Sequence, residues 1–416
     1  MNHIKTLSKE TVIFLKWFGI ALLLGGVGGA LGSLFHTLVD IATETREEFG
    51  FLLYLLPIGG LIIALLYHIA HATKGVDTNR VIAAADEDSD NNIPIVMMPL
   101  IFVSTIITHL FGGSAGREGA ALQIGGSLGY FVGKIFHLQK RDLHTIVMVG
   151  MSSLFAALFG TPVTATFFAV EVVSVGVMHY AGLVPCVVAA LTSSLIAKSF
   201  GLSPVCFDFV NVPDFTASVL VKTVVLALLC AFVSVAFCVS LEKSEHYFKK
   251  LFKNPFLRIY VGGCIIVLLS VVLGTRDYNG AGMNVIEAAL RGEARWEAFA
   301  LKILFTSITV AAGFKGGEIV PTFFIGSTFG CVMGGLLGLD PAFGAAIGFV
   351  ALFCSVVNCP LTSIILAVEV FGGESILIFA LVACVSYMTS GYTGLYHSQR
   401  IVYSKFSEKY INIHTR

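Results

Sequence analysis

Largely apolar runs, each close to the length of a bilayer's hydrocarbon core, recur along this chain: Trp17–Phe35, Phe51–Leu66, Val172–Ala197 and Val224–Leu241. About 20 apolar residues cross that core as a helix. Composition agrees, with 56% hydrophobic and 12% charged residues among 416 and a mean hydropathy of +0.87. An ordinary soluble domain carries about a quarter charged residues. The expectation is an all-α polytopic membrane protein.

The formal net charge is zero, which gives no ground for a nucleic-acid partner. Where the charges fall is more useful. Lys5 and Lys9 open the chain, Lys243, Lys249, Lys250, Lys253 and Arg258 form a central basic loop, and Arg400, Lys405, Lys409 and Arg416 lie in the tail. Basic segments flanking spans stay on the cytoplasmic side, so both termini are expected there. The segment 201–215 has no Lys or Arg and is expected outside. The first apolar run is long and continues into the body, so no cleavable leader is expected. Most of the nine cysteines lie in apolar runs and none forms a Cys-x-x-Cys pair. They read as small packing residues, and no cofactor is implied.

Two segments recur. "TPVTATFFAVEVV" from Thr161 matches "CPLTSIILAVEVF" from Cys359, placing both Pro162 and Pro360 and Glu171 and Glu369 198 positions apart (360 − 162 and 369 − 171). "GREGAALQIGGSLG" from Gly116 likewise matches "GGEIVPTFFIGSTFG" from Gly316, setting Glu118 against Glu318 at 200 positions (318 − 118). The chain is therefore two homologous halves, with residues 1–10 as a cytoplasmic segment, 11–215 and 216–398 as the repeats and 399–416 as a cytoplasmic tail. Repeats with glycine- or proline-broken apolar segments at matching places point to a transport site at the membrane midplane. Such breaks expose unpaired N–H groups and the positive end of a helix dipole, which attract anions.

Between Ile93 and Val132 the only charged residues are Arg117 and Glu118, set in the first break. An unpaired carboxylate at the centre of a bilayer costs ~2.5–3.5 kcal/mol by insertion scales. It avoids that cost by occupying the anion's own site or by taking a proton. Each choice couples an anion to a proton moving the opposite way. The competing explanation is a plain ion pair with Arg117; for Glu318, Lys315 could serve in the same way.

In this order the motifs resemble the CLC family of chloride channels and anion/proton exchangers, over nearly the whole chain. "GREGA" (116–120) resembles the family's Gly-Lys-Glu-Gly-Pro, which implies that Glu118 is gate and proton carrier. "GEIVP" (317–321) resembles Gly-x-Phe-x-Pro, whose backbone amides face the anion. Tyr396 falls where the family has an anion-coordinating tyrosine, and the stretch from Gly160 resembles the one leading to its inner glutamates. The resemblance implies two inverted homologous repeats with re-entrant broken helices and a homodimer with one pathway per subunit.

The departures are informative. Gly-Ser-Gly-Ile-Pro is missing, and "TNRVI" (78–82) is its nearest candidate, with Asn79 or Arg80 near the serine position. Val172 stands where exchangers often carry an inner acid, while Glu318 stands inside the anion loop as a candidate stop for the proton. Together with "GREG", the stretch "GFKGGEIVPTFFIG" is most similar to the bacterial fluoride-exporting branch, although Val320 replaces a threonine frequent there and Ile82 is not aromatic. The candidate anion-binding set is Asn79, Arg80, Gly116, Arg117, Gly119, Gly317, Ile319, Val320, Phe324 and Tyr396, with Glu118 and Glu318 as gating and proton groups. Phe323 and Phe324 could offer ring edges or simply pack. His68 and His109 read as satisfied buried histidines. Glu171 and Glu369, at matching places, suggest a shared structural task such as capping or pairing.

No His-Glu-x-x-His or comparable spacing supports an enzyme, and a scaffold needs no acids in glycine breaks. The expected function is a proton-coupled anion antiporter of the cell membrane exporting fluoride. The alternative is a chloride channel or chloride/proton exchanger. Twenty residues follow Tyr396 (416 − 396), too few for the nucleotide-binding domains that some family members carry.

Overall fold

The computed structural model describes residues 2–72, 77–86, 92–207, 213–214 and 216–416, with side chains from residue 10 onward. Residue 215, where the repeats are expected to join, and the side chains of Lys5 and Lys9 lie outside the described residues. Seven helical segments among the described residues are long and apolar enough to cross a membrane.

The first series runs α1 (Asn2–Glu48), α2 (Leu56–Ile69), α3 (Thr78–Ala85), α4 (Met97–Phe111), α5 (Glu118–Ile135), α6 (Lys140–Phe159), α7 (Pro162–Glu171) and α8 (Leu183–Ser199). The second is α9 (Ala217–Leu251), α10 (Pro255–Leu273), α11 (Met283–Leu290), α12 (Ala298–Ala312), α13 (Ile319–Leu336), α14 (Pro341–Val357), α15 (Pro360–Phe371) and α16 (Ile376–Thr389). The two series correspond helix for helix. Exposed Leu22, Leu23, Val221, Phe232 and Val272 give the bundle an apolar outer surface, as lipid contact requires.

Lipid tails are as apolar as leucine, so helices in a membrane are held by close packing of small residues and by polar contacts. The duplicated glycines supply that packing. A Cβ on Gly125 of α5 would lie 2.3 Å from the Gly150 carbonyl oxygen of α6, and one on Gly150 would lie 2.1 Å from that of Gly125. Gly326 of α13 and Gly348 of α14 repeat the arrangement at 2.3 and 2.0 Å. Neither pair leaves room for any side chain.

Glu171 and Glu369 have a reciprocal task. Glu171, at the end of α7, accepts hydrogen bonds at the start of α15 from the amides of Leu361 (3.2 Å) and Thr362 (2.8 Å) and from the Thr362 hydroxyl. Glu369 of α15 accepts from the amides of Val163 (3.1 Å) and Thr164 (2.7 Å) at the start of α7. Each repeat thus caps the other's proline-initiated helix, placing a carboxylate at its positive end.

Two features were not visible in the sequence. The apolar run Val172–Ala197 is not one helix: the chain leaves α7 at Glu171, turns at Gly176 (φ 86°) and re-enters a helix at Leu183. Between them β1 (Ser174–Val175) pairs in parallel with β2 (Arg400–Tyr403), which pairs antiparallel with β3 (Tyr410–His414). The tail so anchored holds the Tyr396 loop: the Thr415 hydroxyl donates to the Tyr396 carbonyl, and Gly394 N donates to the Arg416 carbonyl at 3.1 Å.

Glu171→Ala leaves the N–H groups of Leu361 and Thr362 without an acceptor, and bonds to a charged group contribute about 1.5–3 kcal/mol each way. It should lower the thermal midpoint in detergent by more than Glu369→Ala does, because Glu171 is buried and Glu369 only half-buried. The folded fraction should keep whatever proton-coupled flux the unmutated protein shows in proteoliposomes. Unchanged stability with lost coupling would move Glu171 into the transport machinery.

Candidate functional site

α4 and α12 both stop inside the protein, each at a glycine in left-handed conformation, Gly112 (φ 83°) and Gly313 (φ 109°). Their loops then meet. Gly116 N donates to the Gly317 carbonyl at 2.7 Å, and Gly317 N donates back to the Gly116 carbonyl at 2.7 Å. This two-residue antiparallel bridge satisfies backbone groups that neither helix can use. Each loop is also tied to the other repeat. Ser114 N donates to Thr309 Oγ1 of α12 at 3.1 Å, and Lys315 N donates to Thr108 Oγ1 of α4 at 3.3 Å.

The bridge sets the internal register. Gly116 opposite Gly317 is an offset of 201 (317 − 116), which also relates Thr108 to Thr309, Gly125 to Gly326 and the starts of α5 and α13. The sequence match of Glu118 with Glu318, at 200, is therefore one residue out. Glu118 corresponds to Ile319, and Glu318 to Arg117. Glu118 is the first residue of α5, whereas Glu318 is the N-cap of α13.

Two cavities converge on the bridge. One, of about 370 Å³, is lined by Arg117, Glu118, His109, Val320 and Phe323, with the end of α1 around its mouth. The other, of about 180 Å³, is lined by Glu318, Lys315, Asn79, Gln123 and Tyr396. Glu242 and Glu245 place its mouth beside the basic end of α9, the face expected to be cytoplasmic; we call it the inner cavity and the first the outer. Each cavity thus holds one of the two acids.

Glu118 is 3% exposed. Its Oε2 accepts from Arg117 N at 2.9 Å and lies over Gly116, where a Cβ would approach it to 2.5 Å. The carboxylate thus already occupies the N-terminal amides that would attract an anion. Arg117 is not its main partner. The guanidinium lies 2.5 Å from Asp40 Oδ1 and 3.0 Å from His36 Nε2, both on α1, and 3.8 Å from Glu118 Oε1. Composition and spacing gave no signal for the α1 pair.

In the inner cavity Tyr396 is 2% exposed and its hydroxyl has no partner among the described residues. Asn79, at the start of α3, accepts from Ser398 N at 3.1 Å through Oδ1, which leaves its –NH2 as a donor for the cavity it lines. Gly119 sits against the bridge, a Cβ there lying 2.8 Å from Gly317 Cα.

Three candidates stand elsewhere. Arg80 turns away, its Nε donating to the Asn92 carbonyl at 2.7 Å. Ile319 is fully buried and lines neither cavity. Phe324 packs on Tyr278 and under the ammonium of buried Lys302, 4.9 Å from its ring centre. Phe323 is the ring at the outer cavity, stacked on Phe349 at 3.9 Å. His68 is exposed rather than buried; His109 is buried, as expected, but not satisfied: its Nε2 has no partner among the described residues.

The chain is 34% identical over 398 residues to a chloride/fluoride channel protein of Pseudomonas syringae pv. tomato, covering 94% of this chain and 87% of that one. It is 26% identical to the H(+)/Cl(-) exchange transporter ClcA of Vibrio cholerae, with 87% and 83% covered. The crystal structure of a CLC-type fluoride/proton antiporter superposes with a TM-score of 0.89 at 33% identity, over 93% of this chain and 98% of the other. The family model described as voltage gated chloride channel matches residues 58–391, and the chain belongs to that family of membrane anion transporters.

Proposed function

We propose that this protein is a proton-coupled antiporter that exports fluoride across the cell membrane, as a homodimer with one pathway per subunit and both termini cytoplasmic. The observation that carries the proposal is the placement of two acids, Glu118 and Glu318, on opposite cavities beside one backbone bridge between helix N-termini.

In this reading the Glu118 carboxylate and the anion compete for the same amides. Protonation weakens the carboxylate's hold on the amides and frees the site, and the returning carboxylate expels the anion and releases its proton. Glu318 serves the inner cavity as the second proton group, in place of an acid at Val172. Arg117, Gly116, Gly119, Gly317, Ile319 and Val320 build the loops around the anion, Asn79 and Tyr396 donate to it, and Phe324 supports the loop from behind.

Fluoride is small and strongly hydrated, so a selective site must replace its water shell with close, directed donors. The Asn79 amide, the unpartnered Tyr396 hydroxyl and a protonated Glu318 carboxyl meet that need, and charge-assisted bonds from such donors are short and strong. The names of the two relatives near one-third identity both include fluoride. Chloride/proton exchange is the second reading, favoured by Val320, which offers no hydroxyl at the start of α13.

Three measurements on proteoliposomes test the proposal. With equal internal fluoride and chloride, an ion-selective electrode should record fluoride leaving first; comparable or faster chloride efflux supports the second reading. Glu118→Gln should abolish proton movement driven by an anion gradient and alter or block anion flux, and wild-type coupling in that variant removes Glu118 from the mechanism. Glu318→Ala should fold and dimerise yet lose proton exchange. If it misfolds while its folded fraction still exchanges protons, Glu318 is structural.

A further inference from the structure

Arg117 stands beside Glu118 in the chain, yet its guanidinium is directed at α1. Nη1 donates to Asp40 Oδ1 at 2.5 Å, and Nη2 donates to His36 Nε2 at 3.0 Å. The remaining nitrogen, Nε, lies 3.8 Å from Glu118 Oε1, beyond hydrogen-bond reach. Asp40, His36 and Glu118 are the polar neighbours of the guanidinium among the described residues.

His36 and Asp40 are four residues apart on α1 and so share one face of it. His36 Nδ1 lies 2.6 Å from Asp40 Oδ2. A guanidinium has no lone pair to offer, so Nε2 accepts from Arg117 and the ring proton sits on Nδ1, donated to Asp40. The tautomer is assigned from those two partners. The 3.5 Å approach of Nη1 to Nδ1 is then a contact between two donors rather than a bond. Each Asp40 oxygen thus has its own partner, and the imidazole seats both the acid and the guanidinium.

The Asp40 side chain is 45% exposed and that of Arg117 17%, and a pair so open to solvent contributes little to stability. What it fixes is direction. A guanidinium closed on Glu118 would make a charge-assisted pair and hold the gate ionised. The other charged or titratable groups lining the outer cavity are Arg46, Glu47, His109, Arg276 and Asp277. Glu47 lies 3.3 Å from Arg46, which also donates to the His109 carbonyl at 3.1 Å. None of the five makes an ion pair with Arg117 or Glu118 among the described residues.

We propose that Asp40, seated by His36, is a positioning residue for proton exchange: it holds the Arg117 guanidinium off Glu118, so that the gate carboxylate is free to give up its amides for a proton. This inference rests on Glu118 being the proton carrier. Without the Asp40 charge, the carboxylate within closest reach of the guanidinium is Glu118.

The test follows proton movement driven by an anion gradient, as a function of pH, with the full-length protein in proteoliposomes. An opposite charge drawn onto a carboxylate favours its ionised form. Asp40→Asn should therefore displace the profile about one pH unit toward acid, a slowing of about tenfold where protonation limits the rate. His36→Leu, which removes the seat but keeps the acid, should displace it the same way by less, and Asp40→Glu should restore much of the original profile. In an Arg117→Gln background, Asp40→Asn should add no displacement, and a structure of Asp40→Asn should show the guanidinium hydrogen-bonded to Glu118. An undisplaced profile in Asp40→Asn would overturn the proposal. So would an equal displacement in the Arg117→Gln background, which assigns the effect to the charge of Asp40 at the cavity mouth, or a guanidinium still seated on α1 in the Asp40→Asn structure. The structure decides where exchange in the double variant is too slow to read. If Glu118→Gln itself keeps proton coupling, the Glu118 reading fails whatever Asp40 does, so the two failures are distinguishable.

Discussion

Everything at the centre of this protein depends on two peptide groups bonded to each other. Gly116 and Gly317 exchange both hydrogen bonds at 2.7 Å, and their neighbours leave no space for a Cβ: one on Gly317 would meet Gly119 N at 2.4 Å, and one on Gly316 would meet Ala115 Cβ at 2.5 Å. Inside a membrane a broken helix must find partners for its freed backbone groups. Here each half breaks its helix in order to satisfy the other, so the two breaks stabilise each other. The same logic governs the threonines that hold the opposite loop and the glutamates that cap the opposite short helix. The repeats are not two domains in contact but two halves of one set of helix ends.

The register of that bridge changes what the duplicated acids mean. Matched as text, Glu118 and Glu318 look like one residue written twice. Matched by structure they are neighbours in the motif, and side chains one residue apart at a helix start point in directions about 100° apart. The repeats are also inverted, so equivalent positions face opposite sides. Arg117 and its true counterpart Glu318 obey this, one lining the outer cavity and the other the inner. Glu118 then stands beside Arg117, on the outer side. One residue of slip gives one acid to each cavity.

How much of this the sequence carries depends on the range of the interaction. Apolar runs, charge asymmetry and the duplication are local signals, and they lead to the membrane bundle, the repeat and the two glycine loops. Tyr396 and Asn79, 317 residues apart (396 − 79), reach the same cavity and are legible only through the family resemblance. The partners of Arg117 are hidden because α1 is 77 residues away (117 − 40) and its polar residues form no motif. Between adjacent candidates the sequence offers no choice: the helical turn that directs Asn79 to the cavity directs Arg80 toward Asn92, and of Phe323 and Phe324 it is Phe323 that takes the cavity face. The split of Val172–Ala197 was invisible because apolarity measures length, whereas strand pairing with residues 400–403 decides where that helix stops.

The asymmetry of burial fits the proposed cycle. Glu118 is nearly inaccessible, and Glu318 is partly open to its cavity. A group that must alternate between binding amides and binding a proton works best when water cannot do either job for it, since water would uncouple the two. A group that collects protons from one side works best in contact with that side. In the proposed mechanism the bridge therefore needs no large movement: it holds the amides still, while the buried acid above it moves by rotation about its own side-chain bonds. Coupling then follows from exclusion, because the carboxylate and the anion cannot share the same N–H groups.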